Sequence, residues 1–224
     1  MYGKAKALIG LGLLFGTHTA LSQSYNMDLT GVGNGTVADG VYVTPYVGTV
    51  TGNGLNYSGF LICDDFTHES YLNSPWTATM TNAGALNGGG KFDFTGTMSI
   101  DGYTVTAQQA YDAAGWLANG LVANYTNTTA QTNYAFAIWN IFDGDQMNPS
   151  GGTLSLEDQA FHAVLNSGYV ASNVSVFTPN PVNASQEFLV VRPAPEIDPT
   201  VAMGSLTLLI GGVLVLRSQR RADG

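Results

Sequence analysis

The stretch VYVTPYVGTVTGNGLNYSGFLICDDF, residues 41–66, decides the fold. Its first ten residues alternate β-branched and aromatic side chains, which predicts a strand, and Pro45 places that strand at a sheet edge or a bulge. The TGNG sequence at residues 51–54 indicates a turn, and a second strand is predicted over residues 55–66. We therefore expect a hairpin whose second strand runs into the core at residues 60–63.

Shorter strands are predicted on both sides of this hairpin. Residues 23–40 are rich in Gly and Asn and are expected to form a loop or a weak first strand, and residues 82–90 a flexible loop. A strand pair is predicted around Asp101-Gly102. Two late strands are predicted over residues 173–177 and 187–192.

Three segments between these strands carry the apolar spacing of helices. Apolar residues recur at helical intervals over residues 107–121, and again over residues 129–142, where Gly144 is expected to end the helix. A third helix is predicted from Ser155, its N-cap, over residues 155–168. Strands, then helices, then strands predict an α+β domain of antiparallel strands with a central group of about three helices, over residues 23–192.

The charge of this domain is strongly acidic. The chain has 224 residues and a net charge of −9, but most of its basic residues lie near the two ends. Thirteen acidic residues from Asp28 to Glu187 face two basic residues, Lys91 and Arg192, so the body has a net charge of −11. Nucleic-acid binding depends on Lys and Arg side chains that displace counterions, so we do not expect a nucleic-acid partner.

The start of the chain, residues 1–22, has the parts of a secretory signal peptide. Lys4 and Lys6 form a positive n-region, and residues 7–15 form an apolar run too short to span a bilayer. Small residues then precede a predicted cleavage site before Gln23. This pattern predicts export through the Sec translocon, and the alternative interpretation is a buried first helix.

The end of the chain, residues 193–224, combines an uncharged apolar segment with a basic tail. The segment at about residues 200–216 is predicted to be a single transmembrane helix about 24 Å long, short of the roughly 30 Å of bilayer hydrocarbon. Arg217, Arg220 and Arg221 follow it, and the positive-inside rule keeps such residues in the cytoplasm. The acidic body is then expected outside the cytoplasm. The alternative is a buried C-terminal core helix.

This tail resembles the PEP-CTERM sorting signal of Gram-negative bacteria. The motif residues are Pro195 and Glu196, with the second proline displaced to Pro199, and the arginine cluster of residues 217–221 completes the layout. The resemblance implies transient anchoring in the inner membrane, recognition and processing by exosortase, and delivery to the cell surface or extracellular matrix. Proteins with this signal are often associated with exopolysaccharide and biofilm formation.

Cys63 is the single cysteine, so an intramolecular disulfide is not available. We weigh a buried small side chain against a reactive thiol, and Asp64 and Asp65 disfavour the thiolate. The cluster CDDFTHE, residues 63–69, could ligate a metal, but no second cluster completes a recognised spacing, so no metal or other cofactor is predicted. Asp143 and Asp145 indicate a helix end and a solvated turn, with a calcium site as the alternative.

A second resemblance is to the thioester domains of bacterial surface adhesins, over about residues 55–145. Cys63 occupies the cysteine position, and residues 137–139 match the Ala-Ile-Trp part of the glutamine motif. The glutamine position holds Ala135, and Gln131 lies one turn earlier. The resemblance implies a related scaffold without the acyl bond, because the carboxamide that forms the thioester is missing.

These observations predict an exported protein of the cell surface or extracellular matrix with a non-enzymatic structural or adhesive role. The alternatives are a thioester-type covalent adhesin that uses Cys63 and a secreted hydrolase. The aromatic residues of the body, Tyr42 and Tyr46 among them, could line a surface for exopolysaccharide or other glycans. Trp76, which follows Pro75 in a predicted loop, is the residue expected to stack on a glycan.

Overall fold

A computed structural model describes residues 23–144 and 150–192. The predicted signal peptide, residues 1–22, and the predicted sorting segment, residues 193–224, lie outside the described residues. Within the two described ranges, no helix combines the length and the apolar composition needed to cross a bilayer.

The described residues form an α+β domain, as predicted. The strands are β1 (Ser24–Gly31), β2 (Val37–Ala38), β3 (Val41–Tyr42), β4 (Tyr46–Gly52), β5 (Leu55–Cys63), β6 (Trp76–Asn82), β7 (Met98–Ile100), β8 (Tyr103–Val105), β9 (Val174–Pro179) and β10 (Phe188–Val191). The helices are α1 (Ala107–Ala123), α2 (Thr128–Asp143) and α3 (Gly151–Leu165), which lie between β8 and β9 in the chain. The antiparallel strands and the central group of three helices confirm the predicted fold class.

Six of the strands close into a barrel in the order β1-β4-β5-β10-β9-β6, and β6 pairs with β1 to complete it. Every neighbouring pair in the barrel is antiparallel. Closure gives each of these strands two partners, with β10 pairing only with Ile62 and Cys63 of β5. Two short ribbons, β2-β3 and β7-β8, lie outside the barrel sheet.

The predicted hairpin is the pair β4 and β5. Its register runs from Tyr46 opposite Leu61 to Gly52 opposite Leu55. The turn residues Asn53 and Gly54 have φ of 48° and 81°, the left-handed conformations that a type I′ turn requires. The ribbon β7-β8 turns in the same way at Asp101-Gly102, which confirms the second predicted strand pair.

Pro45 interrupts the predicted first strand instead of bulging it. The strand expected over residues 41–50 is divided into β3, which ends at Tyr42, and β4, which begins at Tyr46. Proline has no backbone N–H to give to a ladder, so pairing resumes one residue after it. The division lets β3 leave the barrel and pair with β2, which positions Tyr42 for the site described below.

Successive residues of the barrel strands serve two different cores. Leu61 and Phe188 pack with the residues of the barrel core, while their chain neighbours Ile62 and Leu189 pack against the helices. Leu117 of α1 belongs to that second core. All five side chains are at most 2% exposed. The alternation follows from the two-residue period of a strand, which sends neighbouring side chains to opposite faces.

Two strands differ from the prediction. Residues 24–31 form the long strand β1, paired on both sides, because Tyr25, Met27 and Leu29 alternate with polar residues and fill the barrel core. Trp76 does not lie in a loop: it is the first residue of β6, and Met27 of β1 lies opposite it. The expectation of a loop at Trp76 was therefore wrong.

Helix α3 begins earlier than predicted. Its N-cap is Ser150, whose hydroxyl accepts a hydrogen bond from the Thr153 N–H at 3.2 Å, so Ser155 is not the N-cap. The first turn lies so close to α2 that a Cβ on Gly152 would stand 2.4 Å from the Asn133 side chain. A larger residue at position 152 would have to displace that amide, so the close packing of the two helices favours glycine there although it is a weak helix former.

Candidate functional site

An open cleft of about 440 Å³ lies where β3, β4, the segment after β5, helix α2 and the segment before β10 meet. Its aromatic lining consists of Tyr42, Tyr46, Phe66, Tyr71 and Trp139. The polar side chains of His68, Glu69, Ser70 and Gln186 complete the lining. A concave surface that mixes aromatic rings with a few polar groups is the usual form of a small-molecule site.

The aromatic rings differ in exposure in a way that gives the cleft a base and an edge. Tyr42 and Tyr71 are 43% and 65% exposed, whereas Trp139 is 5% exposed. The Trp139 Nε1–H donates a hydrogen bond to the Cys63 carbonyl at 3.0 Å, which fixes the indole at the base. Phe66 packs on that indole with ring centroids 5.3 Å apart. The exposed tyrosines therefore offer ring surface to a ligand above a rigid base.

Most of the polar groups of the cleft are held by one another. Ser70 Oγ lies 2.6 Å from Ser185 Oγ and accepts a hydrogen bond from the Gln186 backbone N–H at 3.1 Å. The Gln186 side-chain amide donates to the Asp65 carbonyl at 2.9 Å. Glu69 is exposed and accepts a hydrogen bond from the Tyr71 hydroxyl. The segment after β5 is thus tied to the segment before β10 across the cleft.

A buried ion pair lies beneath this segment. Lys91 Nζ donates to Asp65 Oδ2, and the two side chains are 6% and 0% exposed. Burial raises the pKa of Asp65, but the hydrogen bonds from Lys91 and His68 outweigh burial and hold that pKa below its ordinary value. Asp65 is therefore ionised at neutral pH, and the charge of Lys91 is already matched inside the protein.

His68 connects the ion pair to the cleft. Its Nδ1 lies 2.6 Å from Lys91 Nζ and 3.0 Å from Asp65 Oδ1. Nδ1 accepts a hydrogen bond from the ammonium group when the ring hydrogen is on Nε2, and donates one to Asp65 when it carries a hydrogen itself, so it makes one of these two bonds at a time. The His68 side chain is 31% exposed and lines the cleft, so the opposite edge of the ring is the part available to a ligand.

Two further acidic residues, Asp64 and Glu187, lie side by side in the interior, each 0% exposed. Glu187 accepts hydrogen bonds from the hydroxyls of Tyr111 and Thr178 and from the Lys91 backbone N–H, the last at 2.7 Å. Within the described ranges, neither carboxylate oxygen of Asp64 accepts a hydrogen bond of ordinary geometry. A proton on Asp64 can bond to Glu187. Burial first, then the Glu187 and Asp65 charges, raise the pKa of Asp64 well above its ordinary value.

Cys63 is buried, 6% exposed, and does not line the cleft. Burial, together with the Asp64 charge, raises the pKa of its thiol well above the ordinary value. Its Sγ lies 3.2 Å from the Asp65 carbonyl oxygen, to which a thiol can donate. At neutral pH the group is therefore a protonated, enclosed thiol, which is a poor nucleophile.

The structure brings Cys63 to the helix that carries the second half of the thioester resemblance. Cys63, Ala135 and Trp139 line one small cavity. Ala135 has no carboxamide, and the Gln131 side chain is engaged elsewhere: its Nε2 donates to the Tyr125 carbonyl at 2.5 Å, and its Oε1 accepts from Asn34 at 3.2 Å. Neither residue 135 nor Gln131 therefore offers Cys63 a carboxamide with which to form a thioester.

The other predicted site residues and the remaining histidine of the described ranges are dispersed. Trp76 is partly buried, packs on Phe188 with ring centroids 5.6 Å apart, and does not line the cleft. His162 is exposed on α3, where its Nδ1 lies 2.8 Å from the Asn166 amide. Asp143 Oδ2 accepts a hydrogen bond from the Phe66 N–H at 2.7 Å and so anchors the cleft segment, while Asp145 lies outside the described residues.

Metal binding and hydrolysis each require a particular arrangement of side chains. No group of three His, Cys, Asp or Glu side chains among the described residues is arranged to hold a metal ion. Ser70 bonds to Ser185 and Gln186, and His68 faces Lys91 and Asp65, so the two do not form a nucleophile–base pair. The predicted sorting residues, Pro195 to Arg221, lie outside the described residues.

Sequence reasoning singled out Trp76 and missed Tyr71, the most exposed ring of the cleft. Tyr71 lies in an irregular segment, two residues after Glu69, where no periodicity indicates which side chains point outward. Trp139 lies in the apolar spacing of α2 and is buried, yet it also forms the base of the cleft. The available signal was the density of aromatic and polar residues over residues 66–71.

Comparisons with models of protein families, with curated proteins and with solved structures give no match for this chain.

Proposed function

We propose that this is an exported, exosortase-sorted protein of the cell surface or extracellular matrix, with a non-enzymatic structural or adhesive role. The export part of the proposal is supported by the charge layout of the sequence, in which basic residues cluster at the ends of a chain with an acidic body. The tail residues Pro195, Glu196 and Pro199 and the three terminal arginines resemble a PEP-CTERM signal and support sorting by exosortase.

The arrangement of charge in the body agrees with an extracellular role. Of its two basic residues, Lys91 is enclosed with Asp65, which leaves Arg192 as the exposed cation of the described ranges. A surface so poor in cations has little attraction for phosphate backbones, and its excess negative charge keeps the protein soluble.

The single observation that carries the adhesive role is the open aromatic cleft. Tyr42 and Tyr71 expose ring surface above the fixed indole of Trp139. Ser70 and Gln186 bond within the protein, and His68 faces an ion pair, which is an arrangement suited to recognition more than to bond breaking. Tyrosine and tryptophan are the side chains that contribute most often to binding energy at interfaces.

The test of export and sorting is fractionation of the native bacterium followed by mass spectrometry of the product. The processed product is expected outside the cytoplasm, and it should begin at Gln23 and end near Pro195-Glu196. Deletion of residues 195–224 should leave export intact, abolish the C-terminal cut and change the cell fraction in which the protein is retained. A matched control replaces the three arginines with lysine, which keeps the positive charge. An uncut chain dissolved in the cytosol would refute the proposal.

A covalent adhesin is the second candidate, because Cys63 and position 135 line the same cavity. Its acyl donor would need a glutamine where Ala135 stands, so we expect the thiol to be free. A thioester would lower the intact mass by about 17 Da, the mass of the ammonia that the thiol displaces, and methylamine would trap it. Intact-mass spectrometry before and after methylamine treatment should show no change; a loss of ammonia would restore this candidate.

A further inference from the structure

We infer that the cleft is a carbohydrate-binding site that accepts uncharged or amine-bearing sugars and rejects anionic ones. This inference rests on the proposed adhesive role and names the ligand class of the same cleft. It is carried by the combination of exposed rings and polar groups that line the cleft, and by the sign of the charge that it presents.

The lining matches the two kinds of surface on a sugar ring. A pyranose presents C–H groups on its faces and hydroxyl groups around its edge, so it packs flat on an aromatic ring while its edge forms hydrogen bonds. Tyr42 and Tyr71 supply the exposed rings, and Glu69, His68 and Gln186 supply polar atoms beside them. A purely apolar ligand would remove water from the exposed Glu69 carboxylate and give it no donor in exchange.

The size of the cleft suits a short stretch of a saccharide chain. Its volume of about 440 Å³ lies within the range of about 300–1,000 Å³ in which small-molecule sites fall. The cleft is open to solvent, and its tyrosines Tyr42 and Tyr71 are strongly exposed, so a residue of a polymer can reach it without being enclosed. A binding surface of this form suits a protein that holds a matrix polymer.

The charge of the cleft decides which sugars it takes. Glu69 is exposed in the cleft, and Asp65 lies beneath it. The cation that could have received a uronate or sulfate group is Lys91, and it is buried and already paired with Asp65. Arg192, the other basic residue of the described ranges, lines a different cavity with Tyr25 and Phe177. Because Lys91 cancels the charge of Asp65, the charge that a ligand meets is that of Glu69, which repels an anionic sugar and attracts an ammonium group.

The cleft is organised before any ligand arrives. Trp139 is held by the Cys63 carbonyl, Ser70 by Ser185, and Gln186 by the Asp65 carbonyl. Little side-chain entropy remains to be lost when a sugar binds, so modest contacts are enough for measurable affinity.

The experiment is calorimetric titration of the purified full chain with three tetrasaccharides at pH 6. The N-acetylglucosamine tetramer is uncharged, the glucosamine tetramer is cationic, and a uronic acid tetramer is anionic. We expect binding of the first two and none of the third. Tyr42→Ala and Tyr71→Ala should each weaken binding about five- to tenfold. Glu69→Gln should reduce the preference for the amino sugar over the uncharged sugar by up to about fivefold.

The control is Tyr103→Ala, which removes a tyrosine that packs on Phe161 of α3, outside the cleft, and should leave all affinities unchanged. Thermal melting of each variant shows that it is folded. The inference is overturned if no sugar binds, if the uronic acid tetramer binds as tightly as the others, or if the cleft variants bind like the wild type. A protein that is exported but binds no sugar contradicts this inference alone, and one that binds sugar but stays in the cytosol contradicts the proposed function alone.

Discussion

Replacement of Lys91 by methionine tests how much stability the buried ion pair supplies. Methionine keeps the apolar stem but removes the ammonium group that bonds to Asp65 and lies 2.6 Å from His68 Nδ1. Asp65 would then be a carboxylate, 0% exposed, with no cation beside it. Removal of one partner of a buried pair costs about 3–5 kcal/mol. For a domain of this size that is a fall in melting temperature of about 6–20 °C.

The cost is expected to depend on pH. In the wild type the pKa of Asp65 is lowered, so the pair stabilises the fold above the unfolded-state pKa of Asp, and this contribution is lost as pH falls through the lower, folded-state value. Without Lys91, burial raises the pKa of Asp65, so the carboxylate takes up a proton in mildly acidic solution. The difference between wild type and Lys91→Met should therefore be largest at pH 7 and shrink toward about pH 4.

The measurement is urea denaturation of the purified chain at a series of pH values. Arg192→Met is the matched control, because Arg192 is exposed and its loss should change the unfolding free energy by at most about 0.5 kcal/mol. The double variant Lys91→Met/Asp65→Asn should recover part of the lost unfolding free energy, since it removes the buried carboxylate that Lys91 no longer pairs with. The reasoning fails if Lys91→Met costs no more than Arg192→Met at pH 7, or if its cost stays constant with pH.

Three further outcomes are expected. Because the pKa of Asp64 is raised in the folded state, its contribution to stability is complete below about pH 4 and is lost as pH rises through the folded-state value. Over that range the unfolding free energy of Asp64→Asn should rise relative to that of the wild type by up to about 1.4 kcal/mol per pH unit. Parallel pH profiles of the two proteins in urea denaturation would disprove this. Native Cys63 should react with iodoacetamide at least about a hundredfold more slowly than in urea, as followed by mass spectrometry; equal rates would contradict its burial. Ser150→Ala should cost about 1 kcal/mol through loss of the α3 N-cap, with Ser150→Asp as the control that keeps an acceptor, and an unchanged melting temperature would refute the capping role.

The parts of the fold that could be predicted are those that local chemistry determines. The hairpin β4-β5 follows from alternating side chains around Asn53-Gly54, whose left-handed conformations are compatible with few other residues. Helices α1 and α2 follow from apolar spacing, and Gly144 ends α2 as expected. In each case the signal lies within about 20 residues of sequence, where propensity and periodicity act.

The barrel itself could not be predicted, because its closure depends on pairs far apart in the chain. Strand β10 joins β5 through Phe188 opposite Cys63, and β6 joins β9 through Met80 opposite Phe177. Nothing in a single sequence indicates such a register. The start of α3 was missed because Gly151 and Gly152 are weak helix formers, and the close approach of Gly152 to Asn133 of α2 is not visible in the sequence.

The candidate site was only partly foreseen. The burial of Cys63 and the high pKa of its thiol follow from its apolar strand and its two acidic neighbours, all visible in the sequence. The cleft does not, because Tyr42, Tyr71, Trp139 and Gln186 come from four separate parts of the chain. The partner of Lys91 was also hidden, since 26 positions separate it from Asp65.

The segment after β5 explains why the ion pair and the cleft occur together. Cys63 belongs to the barrel core, Asp65 holds Lys91, and Tyr71 reaches the cleft, all within nine residues of one another. An irregular segment of this kind has no ladder hydrogen bonds to fix it, so side chains must do so. Asp65 meets that need through Lys91, Thr67 and the Gln186 amide. A charge buried at some cost in solvation thus gives an exposed binding surface its rigidity.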